Sequence, residues 1–118
     1  MANKVKAGLY GQNAAMLYLQ NKGLHLLETN FRIRQAEIDL IMQDGTYIVF
    51  VEVKYRKGLQ YGLPREAIGA GKQKKILQAA EYYIASNNLQ EQDFRFDAVE
   101  VLETESGQKI NHIENAFW

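Results

Sequence analysis

Glu37-Ile38-Asp39-Leu40-Ile41, then Asp44-Gly45, then Val49-Phe50-Val51-Glu52-Val53-Lys54 is the stretch on which the fold turns. Two runs of strand-forming residues flank an Asp-Gly pair, a strong short-range hairpin signal. Alternate strand residues share a face, so Glu37 and Asp39 point one way, and so do Glu52 and Lys54. A two-residue loop at Asp44-Gly45 sets Gln43 opposite Thr46, Ile41 opposite Ile48, Asp39 opposite Phe50 and Glu37 opposite Glu52. Asp39 and Glu52 are then diagonal neighbours, with Cα atoms roughly 7–8 Å apart. A slip of one residue would put the two acidic sets on opposite faces. Carboxylates beside a lysine are what a divalent cation and its activated water require.

A solvated strand face with ordinary charges is the competing reading of the same pattern. Against it, the acidic face also carries Ile41, Ile48 and Phe50. The other face, with Ile38, Leu40, Met42, Val49, Val51 and Val53, is wholly apolar. Strands apolar on both sides sit inside a sheet covered on both faces. Facing carboxylates repel by up to about 1 kcal/mol, and partial burial raises that cost unless a cation compensates.

With 118 residues the chain is expected to form one domain, 1–118, with 47% hydrophobic and 24% charged residues, as in an ordinary soluble protein. It has no cysteine, which excludes disulfides and thiolate zinc sites. His25 and His112 lack metal-ligand spacing and read as structural or surface residues. No apolar leader and no run of membrane-spanning length is present, so a cytoplasmic protein without membrane contact is expected.

Net charge is zero, yet its distribution is lopsided. Residues 54–75 hold Lys54, Arg56, Lys57, Arg65, Lys72, Lys74 and Lys75 against Glu66 alone, a local net of +6. Residues 81–105 carry seven acids against Arg95. One basic and one acidic face are expected. The basic tract starts at Lys54, so positive potential beside the carboxylates would draw phosphate backbones; a solvated helix face is the plainer alternative.

The remaining elements follow from periodicity and breakers. A largely buried helix is expected at about Leu9–Asn21, with Gly8, Gln12, Ala15, Met16 and Leu19 on its sheet-facing side and Gly23 ending it. Strands are expected at about Leu24–Arg32, Ala36–Met42, Tyr47–Tyr55, Phe94–Leu102 and Lys109–Glu114. A second amphipathic helix runs from about Lys72 to Asn87. The glycine-rich tract from Lys57 to Gly71, which holds the only proline, Pro64, reads either as a lid over a nucleic-acid strand or as a plain loop. Tyr55, Tyr61, Tyr82, Tyr83 and Trp118 read as base-stacking groups or as core. The order is αβββαβ(β): an α/β fold with a mixed central sheet flanked by helices.

An acidic residue on one strand, followed across a hairpin by Glu-x-Lys, resembles the PD-(D/E)xK nuclease superfamily. The wider pattern is similar to its YraN-like branch of small bacterial proteins, related to Holliday-junction resolvases. The segments that carry the resemblance are Gly8-Leu-Tyr-Gly11-Gln12-Asn-Ala-Ala15, Gly23 with Asn30-Phe31-Arg32, Ala36 to Ile41, Val49 to Lys54 with Arg56, Lys72 with Ala79 to Tyr83, Arg95-Phe96-Asp97-Ala-Val99, and His112 to Phe117. Two positions depart from the family. It usually has glutamate where this chain has Gln12, which cannot supply negative charge, and glycine where this chain has Ala36, so no unusual backbone angle is needed there.

The resemblance implies a restriction-endonuclease-like αβββαβ core and metal-assisted phosphodiester hydrolysis. Asp39 and Glu52, with the Val53 carbonyl, would hold Mg²⁺, which Mn²⁺ could replace. Lys54 would orient the attacking water or neutralise charge on the phosphate, with Glu37 and Gln12 in support. Arg56, Lys57, Arg65, Lys72, Lys74 and Lys75 would meet nucleic acid, DNA in the first instance. Junction-cutting relatives work as two-fold dimers, so a homodimer is implied, with Ala116-Phe117-Trp118 buried in its interface or in the chain's own core. Two alternatives stand beside the nuclease: a non-catalytic nucleic-acid-binding module, favoured by Gln12, and a protein-interaction domain using the acidic half.

Overall fold

The computed structural model describes residues 2–57 and 69–117, with side chains from Leu9 onward. Its elements are α1 (Ala2–Asn21), β1 (His25–Ile33), β2 (Ala36–Asp44), β3 (Tyr47–Lys57), α2 (Ala70–Ser86), β4 (Asp93–Thr104) and β5 (Gly107–Ile113). The strands form one sheet in the order β1-β2-β3-β4-β5. All neighbours are antiparallel except β3 and β4, which pair in parallel. Parallel neighbours need a long crossover, usually a helix, and α2 lies in that connection. This mixed five-stranded sheet with two helices is the restriction-endonuclease-like α/β architecture expected from the element order.

Both faces of the central strands are covered, as their two-sided apolar pattern requires. Under α1, Ala15, Leu19 and Leu24 pack with Leu40, Met42, Val49, Val51, Val99 and Val101. On the opposite face, Ile76, Ala79, Ala80 and Tyr83 of α2 pack with Ile41, Ile48, Phe50 and Phe96. Phe117 joins this second cluster, with its ring 5.4 Å from that of Phe96, and the Ala116 amide donates to the Phe96 carbonyl. The described part of the C-terminal segment is therefore buried in the chain's own core. Tyr83 is core as well, whereas Tyr82 is exposed.

Gly11 explains how closely α1 approaches the sheet. A Cβ at this position would lie 2.8 Å from the Cβ of Tyr55, closer than such atoms tolerate. Only glycine leaves room for that contact, and Tyr10 then meets the Tyr55 ring edge-on at 5.9 Å.

Two details of the hairpins differ from the sequence expectation. Asp44 pairs with Tyr47 and Leu40 with Val51, so the β2–β3 loop is Gly45-Thr46 and the register moves by two residues. Gly45 alone of the loop residues has positive φ (60°), the pattern of a type II′ turn with glycine first. Asp44 stays in the strand, where Arg95 donates to it at 3.1 Å. A shift of two preserves the faces, and the ladder ends at Leu40–Val51, one residue short of Asp39 and of Glu52.

The second difference lies at the site itself. Ile38 packs in the α2-side cluster with Ile41, while Leu40 lies under α1. Strict alternation therefore fails between Ile38 and Ile41, and Ile38 leaves the apolar set expected for the α1 side. Asn30, across from this point on β1, has φ 51°, a left-handed value that asparagine tolerates better than most residues. Ala36 has no positive φ. Among the described residues, no helix is long and apolar enough to cross a membrane.

Candidate active site

The acidic pair sits where β2 and β3 part. The β2–β3 register runs from Asp44–Tyr47 to Leu40–Val51. One step further, the Val53 amide donates to Asp39 Oδ2 at 2.8 Å. Glu52, buried to 5% exposure, lies on the same side of β3 as Phe50. Its register neighbour on β4 is Ala98, whose small side chain leaves space beside the carboxylate. Ile41, Ile48 and Phe50 are roofed by α2, and the first turn of that helix brings Lys72 over Glu52. Lys72 Nζ is 2.9 Å from Glu52 Oε1, and Lys54 Nζ is 3.9 Å from the same oxygen.

Asp39, Glu52, Lys54 and Lys72 thus form one cluster. A cleft of about 570 Å³ opens over it, lined by Gln35, Ala36, Glu37, Gly71, Lys75 and Ile76 besides Asp39, Glu52 and Lys72. Burial, and then the charge of Glu52, push the Asp39 carboxyl up to about 7. Burial, followed by the hydrogen bond and like charge of Lys72, brings Lys54 down to about 8. Burial alone would lower Lys72 too, but its bond to Lys54 and the attraction of Glu52 raise it. Two crowded carboxylates, one of which resists ionisation, form a donor set that a divalent cation would relieve. Among the described residues no three Asp, Glu or His side chains converge to hold a metal, so the fit is to an ion keeping most of its water.

Glu37 and Gln12 belong to a neighbouring network. Glu37 reaches the cleft rim, but its carboxylate accepts from Arg32 Nε at 3.0 Å and from Asn30 Nδ2 at 3.3 Å. Gln12 exchanges two hydrogen bonds with Asn30, at 2.8 and 3.0 Å. Asn30 and Arg32 are the members that sequence reasoning left out of the site. The available signal was an asparagine in mid-strand, where only a special backbone angle or a side-chain role keeps it. Gln35, whose amide bonds Gln78 of α2 at 3.1 Å, had no signal.

Of the basic tract, Lys72 and Lys75 line the cleft. Lys74 and Lys57 are exposed, and Arg56 donates weakly to the Tyr55 carbonyl. Arg65, Tyr61, Trp118 and most of the 57–71 tract lie outside the described residues. The acidic half does not form one face. Asp97 is fully buried and Glu100 nearly so. Asp97 accepts from Arg95 Nε at 3.0 Å, from His112 Nε2 at 2.7 Å and from the Asn115 amide at 3.1 Å. His112 Nδ1 lies 2.8 Å from Lys22 Nζ. His112 is thus a structural histidine that ties β5 to β4 and to the end of α1, and His25 is exposed.

Comparison with known proteins agrees with the pattern of residues. The model of the uncharacterised protein family UPF0102 matches residues 11–101. A UPF0102 protein of Clostridioides difficile is 45% identical over 99% of this chain and 100% of its own length. Relatives from Caldanaerobacter subterraneus and Clostridium acetobutylicum are each 46% identical, over 98% and 95% of this chain and 97% and 93% of their own. The matched span contains the acidic pair, both lysines above it and the glycine that seats α1, and the chain belongs to UPF0102, the YraN-like family.

Proposed function

We propose that this protein is a divalent-metal-dependent nuclease acting on DNA. The observation that carries the reading is the convergence of Asp39 and Glu52 at the floor of a cleft, with Lys54 and Lys72 beside Glu52. Asp39, Glu52 and the Val53 carbonyl would hold Mg²⁺ or Mn²⁺. When bound, such an ion polarises a phosphoryl oxygen and lowers the pKa of a water. Asp39 is fixed for this task by the Val53 amide, which limits its rotation. Lys54, its pKa brought down to about 8 by burial and Lys72, can hold or release a proton near neutral pH and is suited to orient the attacking water or to meet charge growing on the phosphate. Lys72 and Lys75 stand on the wall where a phosphodiester strand would lie, at the N-terminal end of α2, which itself favours anions. Arg56, Lys57 and Lys74 would extend that basic track.

A second reading is a non-cutting nucleic-acid-binding module. It is favoured by Gln12, whose amide is engaged by Asn30 and brings no third acid to the cluster. The test is cleavage of branched and single-stranded DNA with Mg²⁺ or Mn²⁺, alongside Asp39→Ala and Glu52→Ala. Metal-dependent cutting that both substitutions abolish supports the nuclease. Salt-dependent binding that survives them, without cutting by the unmodified protein, supports the module. Absence of DNA binding sinks both.

A further inference from the structure

Lys72 holds a position that a bound cation would contest. Its Nζ lies 2.9 Å from Glu52 Oε1, an oxygen that faces the cleft beside Asp39. Resting on the metal-dependent reading, we propose that Lys72 and the divalent ion exchange at this oxygen: Lys72 neutralises Glu52 until the ion arrives, then turns into the cleft as a phosphate ligand. The consequence is that metal and nucleic acid help each other to bind.

The mobility of the two partners decides which moves. Glu52 sits on a central strand between β2 and β4, with only 6% of its side chain exposed. Lys72 is 43% exposed, on a four-carbon stem in the first turn of α2, whose N-cap Gly69 makes no side-chain cap bond. A Mg²⁺- or Mn²⁺-sized ion binds carboxylate oxygen at about 2.0–2.2 Å, too close to an ammonium on the same oxygen. Two cations about 3–4 Å apart repel strongly where water is partly excluded. The lysine is the partner with somewhere to go, because the cleft beside it is open and already lined by Lys75. Turned there, it would offer a strand of phosphates a charge that was otherwise spent on Glu52. Coupling of this kind is reciprocal by thermodynamic necessity.

The experiment compares the unmodified protein with Lys72→Met, Lys72→Gln and Lys75→Met, each checked for folding by circular dichroism. Mn²⁺ affinity is read without nucleic acid, from the electron paramagnetic resonance signal of free Mn²⁺. Binding of a single-stranded phosphorothioate oligonucleotide is read by fluorescence anisotropy, with and without Mn²⁺. Both Lys72 variants should bind Mn²⁺ about tenfold more tightly, a typical coupling, and lose the gain in oligonucleotide affinity that Mn²⁺ gives the unmodified protein. Lys75→Met should weaken oligonucleotide binding, keep that gain, and change Mn²⁺ affinity by no more than about twofold. Equal tightening in all three variants would reduce the effect to general charge and overturn the exchange, as would no tightening at Lys72. Failure of every variant and of the parent to bind Mn²⁺ would remove the metal-dependent reading itself.

Discussion

The Val53 amide donates to Asp39 Oδ2 at 2.8 Å, so a side chain of β2 takes the place of a ladder carbonyl at the point where β2 leaves β3. This bond couples the site to the sheet in two ways. It satisfies a backbone donor at the opening of the cleft, and it fixes the carboxylate next to Glu52. Burial and the charge of Glu52 still raise the Asp39 pKa, and the Val53 bond, which favours the charged carboxylate, offsets part of that rise.

Asp39→Asn should therefore stabilise the metal-free protein at alkaline pH. With its pKa raised to about 7, Asp39 binds a proton in the folded state that the unfolded chain has released, so stability falls as pH rises from about 4 through 7. Asparagine cannot ionise, and its gain over the unmodified protein should be on the order of 2–4 kcal/mol at pH 8 and vanish near pH 4. Urea unfolding at a series of pH values measures this. A parallel pH dependence of the two proteins would contradict it.

Lys54 should titrate well below the other lysines. Its folded pKa of about 8 means that the folded state holds fewer protons than the unfolded chain from there up to the ordinary lysine value, so its contribution to stability rises with pH across that window. The ¹³Cε shift of Lys54 should show a midpoint near 8, moving upward in Lys72→Met as the neighbouring charge is removed. A midpoint with the bulk of the lysines would show that the ammonium is freely solvated.

Gly11→Ala should loosen α1 without touching the acidic pair. The new methyl meets the Tyr55 Cβ at 2.8 Å, so helix or strand must shift. Overpacking of this kind costs about 1–3 kcal/mol, partly offset by the better helix propensity of alanine, about 1 kcal/mol. Thermal unfolding should show a lowered midpoint, and the drop should shrink when Gly11→Ala is made in a Tyr55→Gly background, which lacks that Cβ, if the contact is the cause.

Asp97→Ala should be the most damaging single change outside the site. It removes the buried partner of Arg95 Nε, leaving the guanidinium only the more exposed Asp44 and Glu114, and it removes the acceptor for His112 and the Asn115 amide. Breaking a buried pair by deleting one partner costs about 3–5 kcal/mol. Burial alone would raise the Asp97 pKa, but hydrogen bonds from His112 and Arg95 and the charge of Arg95 hold it below the usual carboxylate value. Its contribution is therefore present above the unfolded pKa and lost as pH falls through the folded one. Denaturant midpoints of the unmodified protein and Asp97→Ala should stay apart at pH 4 and draw together only as pH falls further, through the lowered folded pKa.

The legible parts of the fold were those governed by local periodicity. Two-sided apolar strands and the amphipathic α2 placed their elements within a few residues, and Gly23 marked the end of α1, whose start lies seven residues before the expected Leu9. The helix and strand ends moved because end residues such as Asp44 and Asp93 carry no period of their own. Asp44 shows the limit well. It looks like a turn residue, but Arg95, fifty-one positions away, offers it a partner, so the turn forms at Gly45-Thr46 instead. Asn30 was equally opaque, since its left-handed angle and its bonds to Gln12 and Glu37 exist only once α1 crosses β1.

Alternating side chains on β3 dictated that Glu52 and Lys54 would share a side, because a strand repeats every two residues whatever surrounds it. Tertiary packing decided the rest: which oxygen Lys72 reaches, where Glu37 turns, and how far Asp39 resists ionisation. Those outcomes depend on distances between segments remote in the chain, and on water excluded only when α2 closes over the sheet.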